Sequence, residues 1–175
     1  MKTLITLLFC CALPLIAQDQ DKDMKSCPMH EKHQAKANAS VQHRAEKHGD
    51  EAMGFPHDKT THHFLLYSDG GAIEVTANDS NDTTNMQAIR SHLKQIATMF
   101  ANGDFSTPMF VHSQTPPGVP VMKQKRAAIS YIFEELPAGG RVRIKTADPE
   151  ALKAVQEFLR FQIEDHHTGD SEDIA

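Results

Sequence analysis

Two stretches of the chain, each running through a Gly-Gly pair, can be laid one over the other. Phe64 to Asp79 matches Phe133 to Asp148, with Gly70-Gly71 over Gly139-Gly140 and Ala77-Asn78-Asp79 over Thr146-Ala147-Asp148. Identity is low, but the pattern is shared. Ile129, Tyr131 and Phe133, and again Val142 and Ile144, alternate with polar residues at the period of half-buried strands. The glycines allow the positive φ of a tight turn, so each copy predicts a β-hairpin. A helix follows each hairpin. Its apolar stripe is Ala88, Ile89, Leu93, Ile96 and Phe100 in the first copy. In the second it is Leu152, Val155, Leu159 and Ile163, entered by Asp148 as N-cap and Pro149 at the first helical position. Gly103 and Gly169 stand where a helix carboxyl end favours glycine.

This repeat restricts the fold severely. Strand, strand, helix occurs twice, joined by Phe105 to Arg126, and the simplest packing is a four-stranded antiparallel sheet with both helices on one face. The expected class is α+β. A pseudo-twofold unit of this kind is also compatible with a homodimer. The joining segment is rich in proline and apolar residues, so it should pack across the domain.

The repeat occupies only part of the 175 residues. At the amino end a lone Lys2 precedes an apolar run from Leu4 to Ile16, which closes on Ala17-Gln18 before the acidic Asp19, Asp21 and Asp23. The run is short of the about 20 residues a membrane span needs, and it reads as a secretory signal peptide over residues 1–18. The mature chain is then secreted or periplasmic, with no transmembrane span after cleavage. Phe9 is bulky before Cys10, where lipidation favours a small residue, which argues against a lipoprotein. Residues 19–56 carry almost no branched aliphatics and read as a disordered Cys/Met/His-rich tether. The globular domain is expected over 57–170, followed by a fraying acidic tail at 171–175.

Composition matters most in its histidines. Eleven histidines and eight methionines stand against three cysteines, of which Cys10 and Cys11 leave with the signal. Only Cys27 remains, so no internal disulfide forms, and a single exported thiol is an intermolecular link, a reactive group or a metal ligand. In the tether, Cys27, Met29, His30 and His33 combine thiolate, thioether and imidazole within a few residues. That set suits a soft cation such as Cu(I), with Zn(II) or Ni(II) as alternatives. In the domain, His62, His63, Met109, His112, His166 and His167 are candidates for a second His/Met grouping, able to hold copper or to supply axial ligands to haem. The repeat assigns some of them to faces. His62 aligns with Tyr131 on the inward side, His63 with Ile132 on the opposite side, His92 with Phe158, and His166 with Phe100.

The stretch Cys27-Pro28-Met29-His30 resembles the heavy-metal-binding motif attached to bacterial copper-exporting ATPases and to periplasmic subunits of metal-efflux systems. It departs from that motif at Glu31, where a second proline is usual. The resemblance implies a metal-resistance or homeostasis role, with a metal-efflux or metal-acceptor protein as partner. From His57 onward the chain is similar to secreted bacterial proteins, a likeness that carries no residue roles over.

Other classes are disfavoured. A net charge of −5 opposes nucleic-acid binding, which calls for a basic surface. There is no Gly-x-Ser-x-Gly, phosphate loop, dinucleotide fingerprint or His-Glu-x-x-His. The expectation is an exported metal-handling protein that captures, buffers or hands over a soft or borderline ion, copper first. The alternatives are a small secreted enzyme or haem protein using the domain histidines, and a protein-interaction domain using the sheet face that bears His63, Leu65 and Ile132.

Overall fold

The computed structural model describes residues 48–175. The expected signal peptide and the tether up to residue 47, with Cys27, Met29, His30 and His33, lie outside the described residues. After a helical stretch over residues 48–53, the domain is built from strands β1 (Thr60–Tyr67), β2 (Gly70–Ala77), β3 (Ile129–Leu136) and β4 (Gly139–Thr146). Four further helices are α1 (Thr83–Ala101), α2 (Ser106–His112), α3 (Val119–Gln124) and α4 (Pro149–His166).

The fold is the expected α+β architecture: one antiparallel sheet in the order β1-β2-β4-β3. The second strands of the two hairpins pair at its centre, with Ile73 opposite Val142 and Val75 opposite Gly140. Alternation places Phe64, Leu66, Ile73, Val75, Val142 and Ile144 on one face, where they join Ile89, Leu93 and Phe100 of α1 and Val155, Phe158 and Leu159 of α4 in a single core. Asp148 caps α4 as expected, its carboxylate accepting from the Glu150 and Ala151 amides. Asp82 does the same for α1 through the Asn85 amide.

The expected positive φ is found at Gly70, at 143°, but not at Gly71, Gly139 or Gly140, so the Gly-Gly pairs need a second reason. Each turn proper is the preceding dipeptide, Ser68-Asp69 or Pro137-Ala138, and the glycines open the next strand. What the pairs also supply is room. A Cβ on Gly71 would strike the Leu65 carbonyl and the Leu159 side chain. A Cβ on Gly140 would lie 2.7 Å from the Phe133 ring and 3.3 Å from Leu93. Leu93 and Leu159 are equivalent in the repeat, so the same close helix-on-strand contact is made twice.

Two boundaries move outward. The domain starts before residue 57, because Phe55 is 3% exposed in the core and Met53 packs against it. Two apolar side chains at the end of a polar segment are enough to fix it once a finished core lies beside them. The tail at 171–175 has exposed side chains, but its backbone lies along β1. The Ala175 amide donates to the Leu66 carbonyl at 3.1 Å, and the Asp170 carboxylate accepts from the Phe64 amide at 2.9 Å. The unpaired edge of β1 provides those groups. Among the described residues no helix is long and apolar enough to cross a membrane.

Candidate functional site

The inward row of β1 is Thr60, His62, Phe64 and Leu66, so His62 faces the helices near the start of the strand. His166 is the last residue of α4 and His112 the last of α2, and both helices end at this corner. The His166 ring is 6.2 Å from that of His62 and nearly parallel to it, and 5.0 Å from that of His112, edge-on. His92 enters from the middle of α1 and meets Phe55 edge-on at 5.7 Å. Met53 completes the group from the preceding helical stretch, its Sδ 3.3 Å from His62 Nε2.

These side chains surround an inner cavity of about 80 Å³ whose remaining wall is largely apolar, with Phe64, Val75, Phe100 and Phe158 among its lining. At roughly 30 Å³ per water, that is space for an ion and one or two waters. It is far below the about 300 Å³ at which pockets for larger organic ligands begin, so a haem would require these walls to part. Met53, His62 and His166 also line an adjoining vestibule of about 260 Å³, where His57, Thr60 and Thr168 stand. The three therefore form the neck where vestibule and cavity adjoin. At the mouth, His57 Nδ1 is 2.9 Å from the Asp50 carboxylate.

Electrostatics set the state of the rings. Burial pushes His62 down to about 4, aided by His92, His57 and His63. Burial alone pushes His92 to about 4. His166 falls to about 3 through burial first, then through His112, His62 and His167. All three are neutral at pH 7 and carry free nitrogen lone pairs, the form in which imidazole binds metals. The His112 side chain is 1% exposed, with Nδ1 2.6 Å from the Asp165 carboxylate and Nε2 2.9 Å from Gln162 Oε1.

Of the candidates named from sequence, His62, His112 and His166 come together. His63 does not: it lies on the opposite sheet face as its alignment with Ile132 implied, its Nδ1 2.8 Å from the Asp170 carboxylate. Met109 lines a separate surface depression with His48 and Phe110. His167 is exposed and takes the left-handed conformation that ends α4, at φ 51°, the position expected of Gly169. His92 and Gln162 were not among the candidates, and Met53 was read as part of the tether grouping rather than of the domain. His92 had a signal in its inward alignment, and Gln162 had one as a polar residue inside the apolar stripe, between Leu159 and Ile163. Among the described residues no three His, Cys, Asp or Glu side chains are placed to share one ion. The arrangement instead offers low-coordinate pairs, such as the thioether and imidazole of Met53 and His62.

The internal repeat supplies a built-in comparison. The equivalents of His62 and His166 are Tyr131 and Phe100, which pack edge-on with ring centres 5.7 Å apart. One half of the domain thus closes its corner with an aromatic pair, and the other half places two imidazoles there. Comparisons with family models, with curated proteins and with solved structures found no match.

Proposed function

We propose that the chain is an exported metal-binding protein whose domain receives a soft monovalent ion, copper(I) first, at the neck between vestibule and cavity. The observation that carries this reading is the Met53–His62 pair, in which Nε2–H of the neutral His62 ring donates to the Met53 thioether at 3.3 Å in a largely apolar wall; with that hydrogen on Nδ1 instead, sulfur and nitrogen face one ion. Soft sulfur beside a neutral nitrogen selects Cu(I) over harder ions. Cys27, Met29, His30 and His33 fit the same chemistry as a capturing segment upstream, so buffering or hand-over to an efflux or acceptor protein needs only ligand exchange between them. Catalysis is not required.

The test is competition titration of the mature chain with Cu(I), and with Ag(I) as its redox-inert counterpart. Three proteins are compared: the parent, a tether variant with Cys27→Ser and Met29→Leu, and a neck variant with Met53→Leu and His62→Phe. The neck variant is expected to lose one ion per chain that the tether variant retains. Equal stoichiometry and affinity in parent and neck variant would overturn the reading.

A further inference from the structure

The inner end of the pocket holds a second group of donors that the Met53–His62 pair does not use. His112 comes from α2, while Gln162, Asp165 and His166 come from the last turns of α4. Gln162 and His166 are one turn apart and share a face. The 2.6 Å contact makes His112 Nδ1–H a donor to the Asp165 carboxylate, which leaves the lone pair of a neutral ring on Nε2. That lone pair faces the Gln162 carboxamide at 2.9 Å. With the ring neutral, the amide turns its nitrogen to donate and its oxygen is left over; with the ring doubly protonated, the oxygen accepts and Nε2 is left over. In either arrangement one amide atom is buried without a partner, on a side chain 3% exposed that lines the cavity. Buried polar groups in this state call for a ligand or a water.

We propose that this inner end is a second metal station, holding a borderline divalent cation between His112 Nε2 and the His166 ring, with the Gln162 carboxamide turned off His112 to accept from water on the ion. The proposal deepens the reading above, sharing its pocket but not its Met53–His62 pair. Three features fit a divalent nitrogen-selecting ion. The donors are imidazoles with no sulfur among them. A carboxylate behind the imidazole fixes its orientation and raises its basicity, the outer-sphere arrangement that recurs around metal-bound histidines. The carboxyl end of α4, whose partial charge is negative, lies at the same corner. Space for the ion and a water is present in the 80 Å³ cavity.

Co(II) alone is the probe, its visible absorption reporting nitrogen coordination, and Ag(I) is titrated in parallel to read the neck. Both are applied to the full mature chain carrying Cys27→Ser, Met29→Leu, His30→Gln and His33→Gln. In that background Asp165→Asn is expected to weaken Co(II) by about 10 to 100-fold, the usual consequence of losing an orienting carboxylate. Gln162→Leu is expected to strengthen Co(II), because no carboxamide has to be displaced. Neither change should move Ag(I) affinity. Circular dichroism establishes that each variant is folded, and the two substitutions act in opposite directions, so general damage does not imitate the result. Co(II) affinity unchanged by both, or weakened by Gln162→Leu, overturns the inner station. If Ag(I) binding survives that outcome, the neck reading stands. Absent Ag(I) binding with the two opposed Co(II) effects intact supports the inner station and sinks the neck.

Discussion

Acidifying the metal-free protein from pH 7.5 to 5.0 should cost it much of its stability, and three residues account for the loss. His62 and His92 are held at about 4 and His166 at about 3 in the folded chain, against an ordinary value of 6.5 once unfolded. Below pH 6.5 the unfolded chain therefore takes up protons that the folded chain refuses, and the balance moves toward unfolding. The contribution is whole above 6.5 and is lost progressively as the pH falls toward the folded values. At about 1.4 kcal/mol per pH unit, each histidine contributes a loss of roughly 2 kcal/mol by pH 5, and the three together roughly 6. That is comparable with the whole stability of a small domain, about 5 to 15 kcal/mol. The window isolates the histidines, because Asp69, Asp104, Asp148 and Asp170 are all held below the usual carboxylate value and titrate at lower pH. The chain has no Trp, so the assay is urea unfolding followed by far-ultraviolet circular dichroism, with chelator present. His92→Leu gives the sharpest control. It removes a ring that burial alone perturbs and places an aliphatic group against Phe55, so the loss between the two pH values should shrink to roughly 4 kcal/mol. Equal unfolding free energies at pH 7.5 and 5.0 in the parent would refute the reasoning, and so would an undiminished loss in the variant.

Phe55→Ala should cost about 3 to 5 kcal/mol in the same unfolding assay, the usual range for emptying a buried phenylalanine site. Starting the chain at His57 should remove soft-ion binding by the domain as well as the tether, because Met53 is deleted; an unchanged domain stoichiometry would refute its place at the neck. The double replacement His62→Tyr with His166→Phe copies the other half of the repeat. It should fold, lose roughly 4 kcal/mol less than the parent between pH 7.5 and 5.0, and bind no soft ion at the neck; unfolding at pH 7.5 or retained Ag(I) binding would contradict it.

The hairpins and long helices were legible because their signals are local. Period-two alternation in β3 and β4, the heptad-like stripes of α1 and α4, and the Asp148-Pro149 start each depend on residues within one element. Contacts between elements were not legible in the same way. The space Gly71 leaves for Leu159 depends on how α4 crosses β2, and a turn signal looks the same whether the glycine supplies φ or room. The domain start was read too late for a related reason. A polar stretch with one Met and one Phe lacks a core of its own, yet Phe55 needs only one side of a core made by others.

The site divides along the same line. Alignment of the two repeats put His62 and His63 on opposite sheet faces, since a strand fixes which face each residue takes, although both were kept as candidates for one grouping. It gave no view of His112, which reaches the pocket only because the joining segment folds into α2 and ends there. Nor could it give Met53, whose place depends on the helical stretch before β1. The repeat nevertheless carries the strongest functional inference. Tyr131 and Phe100 demonstrate that the corner can be closed by aromatic packing at no cost in protonation, using the same strand and helix positions. His62 and His166 close the equivalent corner while suppressing the basicity of two imidazoles, a penalty that grows with acidity and that packing does not require. A pair of lone-pair donors kept unprotonated, beside a thioether and at the neck of a cavity, has a physical use that an aromatic pair lacks: it can bind an ion without first giving up a proton.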